Sequence, residues 1–193
     1  MASAVKNERA PGRRVLLSVS FAVYLVLLAW IILWKLEVPW IGEAALLPRP
    51  IKLIPFLPSA EADASNPLEV LANVLLFVPF GLYLGLLAPS WRWWQGAAVF
   101  AAASLALEVT QHLISIGSFD MTDVIVNTAG GLTGVGLVVL AQRRSHGRAA
   151  ALLTRICVIG TAALVLAVGL FIASPLHYGP QQDVVLPTPT PHG

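Results

Sequence analysis

The chain has 193 residues, of which 57% are hydrophobic and 11% charged, with a formal net charge of +2. Soluble proteins carry about 25% charged residues. With a mean hydropathy of +0.78, this composition excludes a disordered chain, a coiled coil and a conventional soluble enzyme, and indicates a protein whose side chains face lipid.

The isoelectric point of about 9.0 does not indicate nucleic acid. The net charge is small, and the Lys and Arg residues sit in short runs between apolar spans, where they set topology. Cys157 is the single cysteine, so no internal disulfide forms.

In chain order, residues 1–14 are a basic N-terminal segment (Lys6, Arg9, Arg13, Arg14). Val15–Trp34 is the first predicted span. It is too long for a signal-peptide core and ends in Trp30, Trp34 and Lys35 without a small-residue cleavage site, so it reads as an uncleaved helix. Residues 37–65 form a loop in which Pro39, Pro48, Pro50, Pro55 and Pro58 exclude a long helix or a central strand. Ile41, Leu46, Leu47, Ile51, Leu53, Ile54 and Phe56 place this loop on the membrane surface or over the bundle.

The remaining spans are Leu68–Ala88, Gly96–Ile116, Val124–Ala141 and Ile156–Ala173. Each is close to the length of about 20 residues that crosses a bilayer core. Residues 174–193 end in a Pro-Thr repeat and read as a disordered extracytoplasmic tail. The expected fold class is therefore all-α: a polytopic integral membrane bundle of about five transmembrane helices over residues 15–173. With the N-terminus in the cytoplasm, only Lys35, Arg49 and Lys52 of the 12 Lys and Arg residues fall on the outer side. The bias gives an N-in, C-out topology.

Charged and amide side chains inside spans are costly, so their positions are informative. Glu69 and Asn73 lie at the start of span two, Glu108 and Gln111 near the end of span three, and Asp120, Asp123 and Asn127 at the start of span four. At 1.5 Å rise per residue, Asn73, Glu108 and Asn127 lie about 5–13 Å from the outer ends of their helices. The pairs Glu69/Asn73, Asp123/Asn127 and Glu108/Gln111 each share a helix face. If these faces point inward, the residues form one polar pocket open to the outside.

Other readings compete. Glu69, Asp120 and Asp123 suit helix caps, with Asn66-Pro67-Leu68-Glu69 and Asp120-Met121-Thr122-Asp123 both resembling capping boxes. Asn73, Gln111 and Asn127 would serve as interhelical glue. Glu108 is no cap and has no Lys or Arg at its depth, which makes it the residue to bet on as general acid or base if the protein is an enzyme.

His112 lacks a metal-binding spacing and a second histidine nearby, so no metal site is expected. No cofactor motif and no G-x-S-x-G are present, and Ser104 and Ser115 have no evident base. Gly81/Gly85 and Gly130/Gly134 are small-residue faces for helix packing or for a homo-oligomer, and Ala98, Ala102 and Ala106 suggest the same in span three. The glycine run 130–136 lies in an apolar span without a following lysine and is not a phosphate loop. Pro79 predicts a kink in span two.

The segments Asn73-Val74-Leu75-Leu76-Phe77-Val78-Pro79-Phe80-Gly81, Glu108-Val109-Thr110-Gln111 and Asp120-Met121-Thr122-Asp123-Val124-Ile125-Val126-Asn127-Thr128-Ala129-Gly130-Gly131 resemble, in order and spacing, the VanZ-like membrane protein family. Lys52-Leu53-Ile54-Pro55-Phe56 resembles the loop before its second helix. The resemblance covers about residues 52–140. Where the family often has an arginine before the first aspartate, this chain has Gly117-Ser118-Phe119.

The resemblance implies a protein of the bacterial cytoplasmic membrane. The family takes its name from a protein linked to resistance to the glycopeptide teicoplanin. The expected function is non-catalytic binding of a lipid, a lipid-linked cell-wall precursor or a glycopeptide-type antibiotic through the outward pocket, formed by Glu69, Asn73, Glu108, Gln111, Asp120, Asp123 and Asn127. The alternatives are a membrane enzyme acting on a lipid-linked envelope substrate, and a scaffold.

Overall fold

A computed structural model describes residues 2–34, 51–56, 67–117, 119–145 and 148–174, with side chains from Gly12 onward. Most of the loop 37–65, the capping residue Asn66 and the tail beyond Ser174 lie outside the described residues. Five helices dominate: α1 (Ala2–Trp34), α2 (Pro67–Leu87), α3 (Trp93–Leu113), α4 (Met121–Ser145) and α5 (Arg148–Ala173). Two short strands, β1 (Ile51–Lys52) and β2 (Phe119–Asp120), pair in parallel with Lys52 opposite Asp120. β1 fits between Pro50 and Pro55, where a longer strand would not.

Four stretches among the described residues are long and apolar enough to cross a membrane: Gly12–Trp34, Pro67–Leu87, Met121–Arg144 and Arg148–Ala173. α3 is not among them, because Glu108, Gln111 and His112 crowd its last turns and lower its hydropathy. The helices outrun the apolar stretches read from the sequence. α1 reaches back to Ala2, and the arginines at 143, 144 and 148 belong to α4 and α5. Basic residues continue a helix without strain, because straight-chain side chains lose little freedom there.

α2 and α4 form the tightest seam of the bundle. The cause is glycine. A Cβ on Gly81 would stand 1.9 Å from the Gly131 carbonyl oxygen, and one on Gly134 2.1 Å from the Val78 carbonyl oxygen. The glycine faces on which self-association is expected therefore meet each other inside one chain. Close backbone approach maximises dispersion contact, the main driving force for helix association in lipid.

α3 packs against α4 through Gly96, Phe100, Ser104 and Glu108, a buried stripe at four-residue spacing. Ala98, Ala102 and Ala106, expected to be the packing face, are exposed instead. The Phe100 ring fills the space above Gly131, which orients α3 by its large side chain rather than by its small ones.

An aromatic core ties α1, α2 and α3 together. Phe21 lies against Phe80 and Tyr83, Tyr24 stacks with Tyr83, and Phe80 meets Phe100 edge-on with centroids 5.0 Å apart. The buried hydroxyls find partners, as they must. Tyr24 donates to the Leu76 carbonyl, one residue past the carbonyl that Pro79 leaves without its helical donor. α2 runs unbroken through Pro79 from Pro67 to Leu87. Tyr83 donates to the Cys157 carbonyl at 2.9 Å and shares a 2.7 Å hydrogen bond with Thr161, which fixes α5 to α2.

Candidate functional site

The C-terminal end of α3 and the N-terminal ends of α2 and α4 meet at one end of the bundle, where β1 and β2 cover them. α3 stops in a Schellman motif: Ile116 N–H donates to the Gln111 carbonyl and Ser115 N–H to that of His112. Ser115 takes the left-handed position with φ 59°. The chain then turns directly into β2 and α4.

Asp120 is the pivot. Its Oδ1 accepts the Thr122 N–H at 2.7 Å, which caps α4. Its Oδ2 pairs with Lys52 Nζ at 3.1 Å. Its own N–H donates to Glu108 Oε2 at 2.9 Å. Burial opposes the Asp120 charge, but the Thr122 hydroxyl and amide and the Lys52 ammonium outweigh it and hold the carboxyl below its ordinary range. Lys52, with a side chain 4% exposed, is buried because the β1–β2 register brings this carboxylate opposite it. An unpaired buried ammonium would not be tolerated.

The other carboxyls lie alongside. Asn73 Nδ2 donates to Asp123 Oδ1 at 2.7 Å, joining α2 to α4. Asp123 neighbours the Glu108 carboxyl and feels the charges of Asp120 and Glu69. One turn deeper, Asn127 Nδ2 donates to Ser104 Oγ at 2.8 Å, and Ser104 Oγ makes a long 3.4 Å bond to the Asp123 carbonyl. Asn127 is 2% exposed, yet its Oδ1 has no hydrogen-bond partner.

The structure thus brings together Asn73, Glu108, Asp120, Asp123 and Asn127, with the exposed Glu69 at the rim. Gln111 is not part of the group. Its Nε2 donates to the Ile32 carbonyl at 2.9 Å and ties α3 to α1. The capping reading holds for Asp120, which caps α4 and also joins the cluster.

Lys52, Ser104 and Thr122 are the members that sequence reasoning missed. Thr122 is fully buried; its hydroxyl accepts the Phe56 N–H at 3.1 Å and donates to Asp120. A signal existed for two of them. Ser104 lies one turn before Glu108 on the same face, and Lys52, three residues after Arg49, is a cation in an otherwise apolar loop segment. Among the described residues no group of three His, Cys, Asp or Glu side chains is arranged to hold a metal ion.

No solved structure matches the chain. Protein VanZ of Enterococcus faecium is 34% identical over 125 residues, which covers 65% of this chain and 74% of that protein. A sequence model of the VanZ/LLP1 family matches residues 21–142, a stretch that contains every residue of the polar cluster, from Lys52 to Asn127. The chain is a multi-pass membrane protein that belongs to the VanZ/LLP1 family.

Proposed function

We propose that the polar end of the bundle faces outward from the bacterial cytoplasmic membrane and binds an envelope ligand: a lipid, a lipid-linked cell-wall precursor or a glycopeptide-type antibiotic. The carrying observation is the convergence of Asn73, Glu108, Asp120 and Asp123 from different elements at one end. Ionisable groups at membrane depth are expensive and default to function.

Charge sets the orientation. Arg14, Arg92, Arg143, Arg144 and Arg148 lie at or near the opposite end, where Arg14 Nη2 reaches the Leu87 carbonyl. Under the positive-inside rule that end is cytoplasmic, with the N-terminus in and the C-terminus out.

The test uses Asp123→Asn and Asn127→Leu in the full chain, with teicoplanin and a polyprenyl-linked wall precursor as probes. At least one probe is expected to bind the purified protein and to lose about tenfold in affinity in Asp123→Asn, the scale of one charge-assisted hydrogen bond. Unchanged binding of both probes in variants that melt like the parent overturns the reading.

One observation favours a second reading, a membrane enzyme acting on a lipid-linked substrate. The Glu108 and Asp123 carboxyls are neighbours, and paired carboxyls can divide acid and base roles. Turnover abolished in Glu108→Gln with binding retained would select it.

A further inference from the structure

We propose that the polar end of the bundle takes the ammonium group of an amine-bearing ligand, and not a phosphate. The inference rests on the binding role given to this site above and narrows its ligand chemistry.

Two independent observations support it. The first is a charge imbalance. Among the described residues, the carboxyl-bearing Glu69, Glu108, Asp120 and Asp123 all lie at this end of the bundle, and Lys52 pairs with Asp120 at 3.1 Å. Asp123 accepts hydrogen bonds from the Asn73 amide and the Glu108 carboxyl, and neither donor carries a positive charge. A phosphate brought here would meet like charge at short range, which is strongly unfavourable where water is scarce.

The second is the orphaned amide of Asn127. Its Oδ1 is fully enclosed and accepts nothing. In the arrangement seen, the Ser104 hydroxyl donates to the Asp123 carbonyl at 3.4 Å and accepts from Asn127 Nδ2 at 2.8 Å. The atom left over is therefore an acceptor. Buried acceptors without donors are rare in folded proteins, and this one lies one turn beneath Asp123 on the same helix face.

The deficit and the charge have the same sign. Both call for a cationic donor, and an ammonium supplies three N–H groups and one positive charge. A phosphate offers oxygens to a site that already has too many. The approach is from the rim, where Glu69 is exposed and Asn73 half-buried. A primary amine reaches this end either as the headgroup of an aminophospholipid or on a free molecule such as an aminosugar.

The experiment compares the full chain in nanodiscs of phosphatidylglycerol with added phosphatidylethanolamine or its N-acetylated form, which keeps the lipid and removes the charge. Retained lipid is read by native mass spectrometry. A parallel arm titrates glucosamine into discs of phosphatidylglycerol alone and reads thermal protection.

Preference for phosphatidylethanolamine of about tenfold, lost in Asp123→Asn and reduced in the rim variant Glu69→Gln, supports the proposal with a lipid as source. Protection by glucosamine without that lipid preference supports it with a free amine as source. Equal retention of the two ethanolamine lipids together with no glucosamine effect overturns it. Phosphatidylglycerol bound in preference and lost in Asp123→Asn also overturns it, while the binding role of the site survives. No ligand whose binding depends on Asp123 or Asn127 sinks both.

Discussion

At the scale of single residues, Asp120 does the work of a cap, an ion-pair partner and a backbone anchor at once. Asp120→Asn keeps the shape but removes the carboxylate paired with the buried Lys52 ammonium. Breaking one side of a buried pair costs about 3–5 kcal/mol, so thermal unfolding of this variant is expected far below that of the parent. Lys52→Met with Asp120→Asn is expected to recover part of the loss, because the buried ammonium is gone as well. The pH response follows from the same contacts. The Asp120 carboxyl is held below its ordinary value of 3.8, so its contribution to stability is complete above that value. It is lost as pH falls from there through the lowered folded-state value. Unfolding midpoints measured from pH 5 downward should therefore drop in the parent more steeply than in Asp120→Asn.

At the scale of helices, glycine and one strained serine carry the discriminating predictions. Gly81→Ala forces a methyl group onto the Gly131 carbonyl and should separate α2 from α4, at a cost of about 1–3 kcal/mol or more. Gly136→Ala is the control: a Cβ there meets nothing within 4 Å, so helix propensity alone predicts a gain of up to about 1 kcal/mol. Ser115→Gly relieves a left-handed non-glycine residue and should stabilise by up to about 1 kcal/mol, the relief being offset in part by the greater freedom of glycine in the unfolded chain. Chemical denaturation in detergent micelles measures all three. This scale also shows what sequence makes legible. The small-residue motifs of α2 and α4 are readable because close approach leaves few residue choices. The packing face of α3 is not, because a stripe made of Gly96, Phe100, Ser104 and Glu108 mixes sizes and polarity, while the uniform alanine face at 98, 102 and 106 looks the better candidate and lies outside.

At the scale of the whole molecule, the number of helices and the shared height of the polar groups follow from rise per residue and hydropathy alone, whereas the helix ends do not, because basic residues carry α1, α4 and α5 beyond the apolar stretches; the convergence of Asn73, Glu108, Asp123 and Asn127 is the geometric outcome. Gln111 escapes this logic because helical spacing gives a face to within tens of degrees, too coarse to separate a bond to α1 from one to α4. Lys52 escapes it because its charge marks an unusual position, while a parallel two-residue pairing across more than sixty residues of chain gives no local sign of which carboxylate it meets. The functional account depends on this polar end facing outward, and site-specific thiol labelling of intact cells tests that most directly. In a Cys157→Ser background, a membrane-impermeant maleimide should label Glu69→Cys in intact cells, and Arg92→Cys only after permeabilisation. Labelling of Arg92→Cys from outside, with Glu69→Cys protected until the membrane is opened, would contradict the account.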